Sequence, residues 1–203
     1  MNERSVSPQS RMSTAEDYMK AERQSATRNE YINGKVIARS GADRGHNLLV
    51  SNTAIGIGSR LHGHKSEIYI GNMMVRLRNN FISYPDIVIV SGEPAFADQN
   101  CDLLLNPTLV IEVFSDSTNS SDKTKKLESL LEMQSIKECA LVKQEEMRVE
   151  HYSRQNHKQW LYRIYNERDD VVSLDSIGCK ISLQEIYAGV KARQTALAST
   201  AVN

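Results

Sequence analysis

The chain has 203 residues, 40% of them hydrophobic and 25% charged, with 25 Lys and Arg set against 25 Asp and Glu. That length supports one domain with a sizeable core, and the balanced charge excludes a surface that attracts nucleic acid or anionic lipid all over, leaving only a local basic patch. No apolar run is long enough to span a bilayer, the opening "MNERSVSPQSRM" lacks the apolar heart of a signal peptide, and three cysteines without paired spacing suit a reducing compartment. The expectation is a soluble cytoplasmic protein: a disordered tail over 1–12, a domain over 13–190 and a flexible tail over 191–203.

In chain order, Ser13 and Glu16 have capping-box spacing and predict a helix start. "NEYINGKVIAR" reads as two short strands about Asn33-Gly34, a dipeptide that tolerates positive φ at both turn positions. Apolar residues between Arg44 and Leu61 follow helical spacing, with Gly56 and Gly58 as weak points. The imitation of a phosphate-binding glycine loop in "GIGSRLHG" therefore falls inside a helix, and no strand precedes it. Strands follow at about 67–70, 73–78 and 86–91. A long loop with Pro94 and Pro107 then leads to a strand near 108–114.

"SSDKTKKLESLLEMQSI" predicts a helix with Asp122 as N-cap and Leu127, Leu130 and Leu131 facing inward. "ECALVK", "MRVEHYSR" and "WLYRIYN" read as three strands, the last with Trp160, Tyr162 and Tyr165 as core and sheet-surface aromatics; a short helix near "LQEIYAGV" closes the domain. Apolar runs buried on both faces, mixed with helices in this order, predict an α/β fold in which helices cover a sheet.

Two acids break the apolar pattern. Glu112 sits in the middle of "TLVIEVF", and Asp86 stands behind Pro85 at the mouth of "IVIV". A buried carboxylate costs several kcal/mol unless it is protonated, paired with a cation or bound to metal, so Glu112 requires one of the three. Asp86 alone reads as a turn cap; beside Glu112 on a neighbouring strand it completes a pair suited to Mg²⁺, which keeps much of its hydration shell. Lys123, Lys125 and Lys126 crowd the start of the following helix against the helix dipole. Lys123 and Lys125 read as a solvated cluster, whereas Lys126, next to the inward stripe, can reach back towards the strand end. His46 reads first as a polar residue at a helix start, with contact to phosphate or a metal-bound water as the alternative, and His62 and His64 as a solvated turn rather than a zinc chelate.

"RNEYINGKV", "GHNLLVSN", "YPDIVIVSG", "NPTLVIEVFSDST" and "DKTKKLE", in that order, resemble the bacterial Uma-two family of restriction-endonuclease-like proteins, over about Ser13 to Tyr187. That family lies in the PD-(D/E)XK nuclease superfamily. The resemblance implies a restriction-endonuclease-like core, a mixed β-sheet flanked by helices. It also implies a metal-dependent endonuclease that hydrolyses DNA, with Mg²⁺ or Mn²⁺ as cofactor and a homodimer as the common assembly.

Pro85-Asp86 and Glu112 match the superfamily motif, and Lys126 stands where the family moves its lysine, because Phe114 occupies the usual lysine position. The implied catalytic set is Glu30, Asp86, Glu112 and Lys126, with Asp86, Glu112 and the Val113 carbonyl as metal ligands. The chain departs from the family pattern at Asp116, usually proline, and at Leu130, usually aromatic. The alternative reading is a catalytically idle module of the same fold that binds nucleic acid or protein.

Overall fold

The structure is a computed structural model that describes residues 14–192 apart from 40, 62, 64, 79 and 116–119, and apart from the side chains of 120–122. Both expected tails (save 191 and 192), Ser13, His62, His64, Asp116 and the Asp122 side chain therefore lie outside the described residues.

Helix α1 (Ala15–Glu22) begins at Thr14, whose side chain accepts from the Asp17 amide while the Asp17 carboxylate reaches back, so the capping box is Thr14–Asp17 rather than Ser13–Glu16. Strands β1 (Asn29–Ile32) and β2 (Lys35–Ala38) form the expected hairpin, with Asn33 at φ 50° and Gly34 at φ 82°. Helix α2 (Arg44–Arg60) is capped by Asp43. Gly56 lets it approach Ile181 closely: a Cβ there would stand 2.6 Å from Ile181 Cδ1.

Next come β3 (Ser66–Ile70), β4 (Met74–Arg78), β5 (Phe81–Ser83), β6 (Ile87–Ser91), β7 (Leu103–Leu104) and β8 (Leu109–Phe114). Helix α3 (Ser120–Glu132) starts before Asp122, so Asp122 is not its N-cap and Lys126 stands in its second turn. Strands β9 (Glu138–Lys143), β10 (Val149–Arg154) and β11 (Trp160–Tyr165) follow. A β12–β13 hairpin (Val171–Leu174, Cys179–Ser182) and the short α4 (Leu183–Ile186) end the domain.

The architecture is the mixed α/β fold expected. A six-stranded sheet runs β11-β10-β9-β8-β6-β3, antiparallel except for the β8–β9 pair, which α3 connects as a crossover. One face, with Ile87, Ile89, Leu109 and Ile111, packs on α2, α4 and the β12–β13 hairpin. The other, with Val88, Val90, Val110 and Leu141, packs on Leu130 of α3 and on Val75, Leu77 and Phe81.

Those last residues belong to a second, five-stranded sheet, β2-β1-β5-β4-β7, not expected from the sequence, where β5 and β7 are too short to show a pattern. Helix α1 closes this sheet through Tyr18 and Met19. Its last residue, Glu22, is buried but satisfied by Tyr84 Oη (2.9 Å) and by the amide (2.9 Å) and side chain (2.8 Å) of Asn29.

Candidate active site

The site forms where β6 and β8 part. Their pairing runs from Ile89–Leu109 to Ile87–Ile111 and stops. The next amide on that edge of β8, Val113 N, is taken by the Asp86 carboxylate at 2.8 Å, while the Asp86 carbonyl accepts from Gly71 N at 2.9 Å. Pro85 has no N–H to offer a ladder, so the strand starts after it, and an acid at its mouth can turn its side chain to the neighbouring strand.

Asp86 is buried, and every carboxylate oxygen has a partner. Arg39, just after β2, forms an ion pair with Oδ1 and holds its other nitrogen 2.8 Å from the Gly71 carbonyl. His46 Nε2 lies 3.2 Å from Oδ2. Burial pushes the Asp86 carboxyl up, but His46, Arg39 and the Val113 amide outweigh it and hold the group below its usual range. The hydrogen bond to Asp86 in turn raises the His46 imidazole. The sequence reading of His46 as a helix-start residue is half of the story: its amide does bond the Asp43 cap at 2.9 Å, but its ring belongs to the site.

Glu112 occupies the same sheet face as Val110 and Phe114, with 13% of its side chain exposed. Lys126 answers it from α3, Nζ to Oε1 at 2.8 Å, and the same ammonium lies 3.2 Å from Oε1 of Glu30. Alternation on β1 sends Tyr31 into the core with Tyr18 and turns Glu30 the other way, where Ser83 Oγ donates to it at 2.5 Å.

The two glutamates differ in charge state. Burial raises the Glu30 carboxyl, but Lys126 and Ser83 bring it below its usual range. Glu112 is pushed up to about 7 chiefly by burial; Lys126 pulls it back, and the negative charges of Asp86 and Glu30 offset part of that pull. Burial lowers the Lys126 ammonium, yet Glu112 and Glu30 leave it well above the ordinary lysine value.

All four sequence-predicted residues, Glu30, Asp86, Glu112 and Lys126, thus line one cavity of about 810 Å³, together with Val113. Lys123 does not behave as a solvated charge: its Nζ stands 3.4 Å from the Phe114 ring centroid and 3.9 Å from Glu150 Oε2, and it lines the same cavity. Lys125 is exposed, as expected. Arg39 and Ser83 are the residues that the sequence did not reveal as members of the site. Among the described residues no three His, Cys, Asp or Glu side chains group as a closed metal cage, since Arg39 and Lys126 stand among the acids.

The donor set nevertheless fits a hard divalent ion. Asp86 and Glu112 offer oxygens to one cavity. The Val113 carbonyl leaves β8 on the same edge as the amide bonded to Asp86, because a strand residue's N–H and C=O share an edge. Mg²⁺ needs only one or two carboxylates when water and phosphate fill the remaining positions.

Comparison with known proteins adds ancestry to this geometry. A family model, Uma2, described as "Putative restriction endonuclease", matches residues 15–184. The chain is 31% identical over 149 residues to the uncharacterized protein sll1609 of Synechocystis sp., covering 73% of this chain and 84% of that one. A second Synechocystis protein, slr1290, is 25% identical over 177 residues, covering 86% and 91%. The crystal structure of "a putative nuclease belonging to DUF820" from Anabaena variabilis superimposes with a TM-score of 0.70 at 19% identity, over 86% of this chain and 97% of that one, a likeness of fold. With the family model spanning nearly all of the described residues, the chain belongs to the Uma2 family of restriction-endonuclease-like proteins.

Proposed function

We propose that the protein is a metal-dependent endonuclease that hydrolyses phosphodiester bonds of DNA, with residues 13–190 as the catalytic domain. The observation that carries this reading is the convergence of Glu30, Asp86, Glu112 and Lys126, drawn from two sheets and a helix, on one cavity. Asp86, Glu112 and the Val113 carbonyl would hold Mg²⁺ or Mn²⁺. When bound, such an ion supplies Lewis-acid polarisation of the phosphate and neutralises charge in the transition state.

The remaining roles follow from the chain's own groups. Lys126, kept protonated by its two acidic neighbours, acts as a donor that orients the attacking water and steadies negative charge on the phosphate, rather than as a base. Glu30, fixed by Ser83, sets the position of that ammonium. Arg39 and His46 aim the Asp86 carboxylate. A cytoplasmic location and a homodimer go with this reading. The described residues hold no helix long and apolar enough to cross a membrane, and all three cysteines are free thiols.

The rival reading is an idle module of the same fold. One observation favours it: the acids are already neutralised internally, Asp86 by Arg39 and Glu112 by Lys126. Incubation of the purified chain with supercoiled and linear duplex DNA decides between them. Cutting is expected in Mg²⁺ or Mn²⁺, should stop with EDTA, and should fall on the order of 100-fold or more in Asp86→Asn and Glu112→Gln. Inactivity across metals and substrates, or cutting that persists in both variants, moves the assignment to the idle module.

A further inference from the structure

The six-stranded sheet ends at β11, and no other element lies along the outer edge of that strand among the described residues. Leu161, Tyr162 and Ile164 are 36%, 44% and 42% exposed, so apolar side chains stand in water on both faces of a strand six residues long. Natural sheets protect such edges with short strands, prolines, bulges or rows of charge. Strand β11 has one charge, Arg163, and none of the other devices. The other edges of the two large sheets are shorter. β7 is two residues long, β2 is four and opens with Lys35, although it exposes Val36 and Ile37, and β3 is five, carries Glu67 and exposes one large apolar side chain, Ile70.

Backbone geometry says which groups that edge offers. Gln155 N donates to Gln159 O at 2.9 Å across the β10–β11 hairpin, so residue 159 turns its backbone towards β10. Alternation then turns 161, 163 and 165 the same way and leaves the N–H and C=O of Trp160, Tyr162 and Ile164 facing outward. Their side chains share one face and are held in place. Tyr162 lies 4.8 Å from the Tyr152 ring, and the Arg154 guanidinium stands 4.2 Å over Trp160.

We propose that β11 is a dimer interface: two copies of this chain pair their β11 edges antiparallel about a two-fold axis at Tyr162, fusing two six-stranded sheets. Outward-facing residues must meet outward-facing residues, and keeping all but one of the strand's six residues paired puts the axis on Tyr162 or on Arg163. An axis on Arg163 sets two guanidinium groups face to face and Lys158 opposite the partner's Arg168. An axis on Tyr162 sets Trp160 opposite the partner's Ile164, Leu161 opposite the partner's Arg163 and His157 opposite the partner's Glu167, with no like charges opposed. Charge therefore selects the register, and in that register the edge is complementary to a second copy of itself. This interface stands on the sheet edge alone, independent of the proposed activity.

Sedimentation equilibrium on the full chain tests it, with twice 22.9 kDa expected. Ile164→Pro removes one outward N–H and leaves the bonds from 161, 163 and 165 to β10 in place, so it should give a monomer with an unchanged circular dichroism spectrum. Tyr162→Lys and Tyr162→Glu each put two like charges on the axis and should weaken dimerisation on the order of 100-fold. Mixed in equal amounts, the two variants should recover a dimer. A monomeric wild-type chain overturns the proposal, the outcome expected if the chain's own 193–203 segment covers the edge. So does a dimer that survives all three variants, or a Lys–Glu mixture that stays monomeric.

Discussion

Lys126 stands 2.8 Å from Glu112 and 3.2 Å from Glu30, and one ammonium cannot fully compensate two largely buried acids. The deficit appears on Glu112, raised to about 7 by burial and by the nearby Asp86 and Glu30 charges. A carboxyl whose folded value lies above its unfolded one favours the fold when protonated, so Glu112 withdraws stability as pH climbs from 4.5 through about 7. His46 acts in the same direction: its value is raised above 6.5, so its contribution is whole below 6.5 and fades as pH passes its folded value.

Glu30 and Asp86 are shifted downwards, and their contributions are lost only as pH falls below their unfolded values of 4.5 and 3.8. Between roughly pH 5 and pH 8, then, Tm should fall with rising pH. Glu112→Gln should flatten that slope and melt at or above the wild-type temperature near pH 8. Thermal scans across this range check it. A drop of several degrees in the variant at pH 8 would show instead that the ion pair with Lys126 dominates the energetics of the site.

At the scale of elements, α3 carries the lysine, and its position depends on Leu130, fully buried between the helix and the sheet face of Val110 and Leu141. Leu130→Ala should cost about 2–5 kcal/mol by opening a cavity beneath α3. It should also loosen Lys126, one turn away, so that DNA cutting falls by more than the folded fraction does. Urea denaturation together with activity per folded molecule separates the two effects, and equal losses would mean that Leu130 only supports the core.

What could be read beforehand follows the same logic. Strands β6 and β8 and helix α3 are legible because their apolar runs are long and an acid inside such a run has no local explanation. Strands β5, β7 and the β12–β13 pair are two to four residues each and carry no period. Arg39 and Ser83 look unremarkable in the chain, since their meaning comes from residues 47 and 53 positions away. His46 reads as a helix-start residue because its amide does have that job, while its ring faces a strand mouth 40 residues on.

At the scale of the molecule, the two large sheets pack on each other through Val75, Leu77 and Phe81 on one side and Val88, Val90 and Val110 on the other, and the candidate site is distributed across that junction. Glu30 comes from the five-stranded sheet, Asp86 and Glu112 from the six-stranded one, and Lys126 from the helix packed alongside. An ion held by Asp86 and Glu112 therefore binds only the assembled fold, because unfolding scatters its ligands across the chain. Binding linkage then predicts about 2.7 kcal/mol of stabilisation when free Mn²⁺ reaches 100 times its dissociation constant.

For a chain of this length each kcal/mol shifts Tm by roughly 2–4 °C, so a rise of about 5–10 °C is expected, reversed by EDTA. Asp86→Asn should abolish the rise, and because it leaves Arg39 without its anion it should also cost about 1–3 kcal/mol in the metal-free state. The result separates the two functional readings without any nuclease assay. If Arg39 and Lys126 are permanent counter-ions of an idle module, Mn²⁺ moves neither melting temperature and Asp86→Asn shows only its metal-free cost. If they hold the acids until an ion arrives, the wild type alone responds.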